Sequence, residues 1–357
     1  MKEPIEFSLA SVAVVLILMM IMNVLTVYSQ ITSRIENEAA SFMSKILLSS
    51  GLPTNWDEER ILGNELLDFG LASLDKFGLD KDKVNLISYA YLGSIVFPIE
   101  NALYLNFEEL SSLILFKDRS FILEFNPALN ISINIVRVGR RYRVEVTVFD
   151  LKGENVTDEA SLTYVIVYLY GLSTRFLLYV GGSLSPPING MVLAVAVVAE
   201  VNGVKSMAYW INDIMFFGVV VGSYIISPLP LLFARIRLLF YEEIGEDYMC
   251  TVNYELVRSV NGLYIYRITG DGWNSSVLHN IDDKAVMVVA TSTFIDTIIC
   301  IYFTYPAPIY SYRGLSSHVK LRYGARALPL EFSVVGELMY IGDMLYEVKL
   351  YMWRTVK

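Results

Sequence analysis

Residues able to do chemistry are few and scattered in this chain. The two histidines, His279 and His318, stand far apart, and neither has a cysteine or carboxylate beside it at metal-ligand spacing. The acidic pairs Glu108-Glu109, Glu242-Glu243 and Asp282-Asp283 have the residue types of a glycosidase acid pair or a calcium site, but a solvated turn or helix end accounts for each. Gly181-Gly182-Ser183, followed by Pro186-Pro187, reads as a loop, because a nucleophile elbow needs Gly-x-Ser-x-Gly. Neither phosphate-binding glycine pattern occurs. No catalytic residue, metal or cofactor is expected, and the chain reads as a non-enzyme.

Two other sets of residues carry covalent chemistry. Cys250 and Cys300 are the whole thiol content, and they would bridge outside the cell if their Cα atoms came within about 7 Å. Each also sits in an apolar strand-like run, where a free thiol acts as a small hydrophobe, so both readings stand. The glycosylation sequons Asn130-Ile-Ser, Asn155-Val-Thr and Asn274-Ser-Ser follow. Asn155 and Asn274 fall in expected loops, and Asn130 falls at a strand start.

The elements that would carry these groups begin with an apolar run from Leu9 to Val27. It holds no charge and only Ser11, Asn23 and Thr26 as polar interruptions. At about 1.5 Å per residue, such a run matches the ~30 Å hydrocarbon thickness of a bilayer, so a single span is expected. Between Ser29 and Ser50, Ile31, Ile35, Ala39, Phe42 and Ile46 recur at spacings of four and three, which predicts an amphipathic continuation of the helix. Gly51 and Pro53 end it. Flanking charges are balanced and leave the orientation open.

Ile5-Glu6-Phe7 ahead of that apolar run resembles the Leu-Glu-Phe part of the motif in archaeal type IV pilin-like proteins made with a class III signal peptide, with Pro4 where a serine is usual. Leu48 to Trp56, Phe69-Gly70-Leu71-Ala72, Leu79-Asp80 and Asn126 to Ile131 are similar to the linker region of large archaeal pilin-like surface proteins. The resemblance implies a membrane-anchored structural or surface protein whose C-terminal part lies outside the cytoplasm. Its partners would be the lipid bilayer and copies of itself or other pilin-like subunits, met through the N-terminal helix. It also implies assembly roles for Glu6 and Phe7, with the Glu6 carboxylate paired to a neighbouring subunit's terminal amine. The residue types alone leave Glu6 equally readable as flanking charge at an interface. A tethered, monomeric binding protein with a cleft between two β modules is the alternative.

Composition narrows the class. The 357 residues are 54% hydrophobic and 18% charged, with 24 Tyr and 18 Phe, which favours strands with large amphipathic surfaces. A net charge of −9 argues against nucleic acid, and no Lys/Arg run exceeds Arg140-Arg141. Four regions are expected: a pilin-like helix over 1–51, a helical collar over 52–120, a first β module over 121–211 and a second over 212–357. Asp80 is placed as the cap of a helix reaching about Leu92, and Asn106 with Glu109 as a capping box. From Phe121 the period becomes two, and Asn202-Gly203, Asn261-Gly262 and Gly342-Asp343 read as hairpin turns. The uncharged stretch from Ile214 to Ala234 is read as two buried strands around a turn in preference to a second span, because glycines and Pro228 and Pro230 interrupt it. The fold class expected is α+β: a long N-terminal transmembrane helix with an amphipathic extension, a helical collar, then a mainly antiparallel ectodomain.

Overall fold

Alternating apolar and polar residues and two-residue turns make strands of most of the chain beyond residue 118. The structure, a computed structural model, describes residues 18–23, 37–74, 78–87, 119–244, 247–260, 262–270, 285–311, 321–325 and 328–354. Its strands begin with β1 (Arg119–Pro127), β2 (Asn130–Val138), β3 (Arg141–Phe149), β4 (Ser161–Tyr170), β5 (Ser173–Gly181), β6 (Met191–Val201) and β7 (Val204–Ile211). They continue with β8 (Phe216–Val221), β9 (Tyr224–Ser227), β10 (Ala234–Ile244), β11 (Asp247–Val260), β12 (Leu263–Gly270), β13 (Ala285–Ser292) and β14 (Ile298–Phe303). The last are β15 (Ile309–Ser311), β16 (Leu321–Gly324), β17 (Ser333–Ile341) and β18 (Met344–Arg354).

Four sheets result. β16-β1-β18-β17 form one, β15-β7-β6-β4-β5 a second and the β2-β3 hairpin a third, while β10-β11-β12-β9-β8-β14-β13 close into a seven-stranded barrel. Pairing is antiparallel except for β8 with β14 and β7 with β15. The ends of the chain's β region meet: β1 pairs along its whole length with β18, from Arg119↔Arg354 to Pro127↔Tyr346, and with β16 on its other edge. β15 likewise carries late chain back onto β7. The segment expected as two strands around a turn is β8 and β9, joined at Gly222 and built into the barrel.

Alternation assigns each face to a core. Ile236, Leu238 and Phe240 of β10 join residues from all seven barrel strands in a cluster that fills the barrel, while Leu239 and Tyr241 face outward. One face of the five-stranded sheet packs on the β2-β3 hairpin through Tyr164, Ile166, Val195 and Val197 against Ile131, Val144 and Val146. Its other face joins the outside of the barrel and the four-stranded sheet in the largest cluster. Asn202 and Gly203 both take positive φ, as a two-residue hairpin turn requires, and Gly342 does so between β17 and β18.

Two expectations are corrected. The described fold is mostly β, not α+β. Helix occurs at 18–23, at 37–48 (α1), at Trp56–Leu62 (α2) and at 81–87 (α3). No helix among the described residues is long and apolar enough to cross a membrane, against the transmembrane helix, the single-pass membrane placement and the extracytoplasmic orientation that rested on it. Hydropathy and spacing register residue type and not what packs on it. The amphipathic stripe has a home in this chain's own body: Ala39, Phe42, Met43, Ile46 and Leu47 are buried in the largest core, and Phe42 meets Phe121 of β1 edge-on at 5.2 Å. The other residues of the apolar run, together with Ile31, Ile35 and the Asn106 capping box, lie outside the described residues.

Candidate functional site

The described residues concentrate buried charge in the collar between α1 and β1. Helix α1 stops at residue 48, and Gly51 turns the chain with φ +77°. Gly70 lies so close to that turn that a Cβ there would meet the Ser49 carbonyl oxygen at 2.1 Å. Trp56 starts α2, and its Nε1 donates to the Gly70 carbonyl at 2.8 Å, which fixes the helix against the turn. Asp80 Oδ1 accepts from the Asp82 and Lys83 amides at 3.0 and 3.4 Å, the N-cap expected for α3. From α3, Asn85 Nδ2 donates to the carbonyls of Val220 and Phe303, at the ends of β8 and β14, so the collar is tied to the barrel.

Inside this frame Asp57, Asp80 and Asp82 bring their carboxylates within 4.8 Å of one another. Lys83 supplies the positive charge. It is 1% exposed and stands 3.8 Å from Asp80 Oδ2, and its Nζ donates to the Ser50 and Thr54 carbonyls at 2.9 and 2.7 Å. Burial pushes the Asp57 carboxyl up to about 8, and the neighbouring Asp80 and Asp82 add to the rise while Lys83 opposes it. Burial likewise lowers the Lys83 ammonium against the pull of Asp80 and Asp57. Three carboxylates are the ligand type of a hard divalent cation. Here Asp80 and Asp57 act on an internal lysine, and the raised Asp57 carboxyl keeps a proton that an exposed aspartate gives up. The arrangement clamps the α1-α2 turn to α3.

Clefts lie elsewhere, among them one of about 570 Å³ lined by Glu145, Asn155, Thr157 and Ser183. A second of about 540 Å³ is lined by Phe125, Asn126, Asn130, Lys152, Glu347 and Lys349, where the β2-β3 hairpin meets β1 and β18. Another of about 480 Å³ is lined by Arg137, Tyr142, Trp210 and Asp213.

Of the residues picked out by sequence, Glu6, Phe7, Asn274, His279 and His318 lie outside the described residues. Asn155 is exposed in a loop, its Oδ1 accepting from the Thr157 amide at 3.0 Å and hydroxyl at 2.6 Å. Asn130 is the exposed first residue of β2 and lines the cleft of about 540 Å³. Cys250 and Cys300 form no disulfide. They sit on β11 and β14 with β10 and β13 between them, and strand spacing of about 4.8 Å sets the pair roughly 10 Å or more apart, too far to bridge. The Asp57-Lys83 pair escaped sequence reading. Its signals are only the acidic first turn of α2 and the Asp-x-Asp-Lys of α3, neither of which reveals burial. No protein-family model matches the chain, and neither a curated protein nor a solved structure is found similar to it.

Proposed function

We propose that this chain is a structural subunit without catalytic machinery, assembling with like chains through its N-terminal segment as the pilin-like resemblance implies. One contrast carries the reading. In the helix at 18–23, Leu18, Met19, Met20 and Ile21 are 55%, 61%, 69% and 49% exposed, whereas α1 buries its apolar face on its own β body. A helix that is apolar all round is stable when buried, and neighbouring helices of like chains supply that burial. The collar supports the same role, since Asn85, Lys83 and the ion pair of Arg119 with Glu38 fix α1 rigidly to the body.

The test is the assembly state of the full chain, read by light scattering and electron microscopy. Wild type is expected to form multimers, and Leu18→Asp with Ile21→Asp to form monomers that melt like wild type. Glu6→Gln should also lower assembly, since stripping one partner from a buried charge pair costs about 3 to 5 kcal/mol. Monomers of the unsubstituted chain would refute assembly and favour a binding protein that uses the cleft of about 540 Å³.

A further inference from the structure

Five chain connections that are far apart in sequence meet at the starts of β8 and β14, away from the collar. The β4-β5 turn is tied to the β13-β14 link, where the Thr174 amide donates to the Asp296 carbonyl at 3.0 Å and Thr297 Oγ1 donates to the Leu172 carbonyl at 3.0 Å. That link is tied in turn to the β9-β10 link, where the Thr293 amide donates to the Phe233 carbonyl at 3.0 Å and the Phe233 and Phe294 rings meet at 5.7 Å. Parallel pairing of Cys300 with Phe216 puts the β7-β8 link beside them. A shared cavity wall of Arg137, Tyr142, Asp213 and Ile214 brings in the β2-β3 hairpin.

Two properties coincide there. Leu172, Leu232, Phe233, Phe294 and Ile295 are 79%, 73%, 69%, 78% and 62% exposed, the mark of side chains standing out on projecting tips, and Ile214, 63% exposed, stands on the wall of the neighbouring cavity. These tips are held in place: Phe233 and Asp296 adopt positive φ without being glycine, at +56° and +49°. Around them Arg137, Arg140, Arg141 and Arg175 are exposed, while Asp296 is neutralised by Arg237 at 3.0 Å, in a chain whose net charge is −9. Asp213 is the other acid among the groups named here.

We propose that this end of the molecule docks on an anionic lipid surface, the projecting apolar tips entering the headgroup layer and the arginines pairing with phosphate. Projecting apolar side chains with a cationic surround fit a deformable, negatively charged interface that needs no shape complement, whereas a protein partner would have to offer a matching hollow. The contact spans no bilayer and uses no residue before 137.

The test places an environment-sensitive nitrobenzoxadiazole label at position 294 of the full chain, through Phe294→Cys in a Cys250→Ser background. Cys300 is left in place because it is fully buried. With phosphatidylglycerol vesicles the label's emission should rise several-fold and shift to the blue, and nitroxide lipids labelled near the headgroup should quench it. Phosphatidylcholine vesicles should leave it unchanged, and so should the anionic vesicles after Arg137→Glu, Arg140→Glu and Arg141→Glu are combined. Because the label reports locally, lipid binding by the N-terminal apolar segment does not imitate the signal. Unchanged emission on anionic vesicles, an equal response on phosphatidylcholine, or a blue shift that needs only a higher concentration of the protein itself would each overturn the proposal, the last pointing to a second copy as the occupant.

Discussion

Replacing Asp57 by asparagine should make the protein's stability less sensitive to pH. The Asp57 carboxyl, 5% exposed, titrates at about 8 in the fold against 3.8 for an ordinary aspartate. Between those values the folded chain holds a proton that the unfolded chain has lost. Stability must therefore fall as pH rises through this window, by about 1.4 kcal/mol per pH unit for one proton. The shift of roughly four units makes the accumulated loss on the order of 5 kcal/mol above pH 8, a large part of the ~5 to 15 kcal/mol of a typical domain. Lys83 acts in the other direction. Its lowered value means that the unfolded chain holds the extra proton between the folded value and 10.5, so its contribution rises with pH there. Asp57→Asn keeps the size and a polar end but cannot ionise, so it removes the downward slope and leaves that of Lys83. Urea midpoints followed by tryptophan fluorescence, to which the adjacent Trp56 contributes, from about pH 4 to about pH 9 would show it: the variant should gain on wild type steadily as pH rises. Parallel profiles for the two proteins would refute the argument, because they would mean that Asp57 ionises in the fold as an exposed carboxyl does.

Phe42→Ala should cost about 3 to 5 kcal/mol in urea unfolding, since it removes a 2%-exposed ring from the contact with Phe121 that docks α1. Asn85→Leu should cost about 1 to 3 kcal/mol by leaving the Val220 and Phe303 carbonyls without their donor, and hydrogen exchange should rise at α3 before it rises in the barrel. A thiol reagent at neutral pH should label Cys250 slowly and Cys300 only after unfolding, because burial pushes the Cys300 thiol up to about 12. A reducing agent should leave the unfolding midpoint where it is.

Local signals were the legible part of this fold. Asn202-Gly203 and Gly342-Asp343 specify two-residue turns through residues that accept positive φ, and each joins strands that pair directly across the turn. The Asp80 cap is likewise written within a few residues of its helix. Glycines and prolines between Ile214 and Ala234 correctly pointed to strands. What escaped was non-local. Nothing near Phe121 announces a partner at Met352, and nothing in the apolar run of Ala285 to Ser292 announces barrel closure onto β10. The same blindness affected charge: Arg137 and Arg140-Arg141 are local in the sequence, and only folding sets the hairpin's Arg137 and Tyr142 beside Asp213 and Ile214. The N-terminal helix was misjudged because amphipathic spacing says that a face will be buried and is silent on what buries it.

The pairing of β1 with β18 also constrains how this protein is made. β1 emerges early from the ribosome, yet its partners on both edges, β16 and β18, are synthesised about 200 residues later. While the residues between them are made, β1, buried at seven of its nine positions in the finished fold, has no native strand beside it. The β4-β5 and β6-β7 hairpins can close as they appear, but the four-stranded sheet waits for β18. Chains truncated before Met344 lose the strand that β1 and β17 share, so β17 should come away from β1 and leave a sticky β1 edge for chaperones and proteases to find.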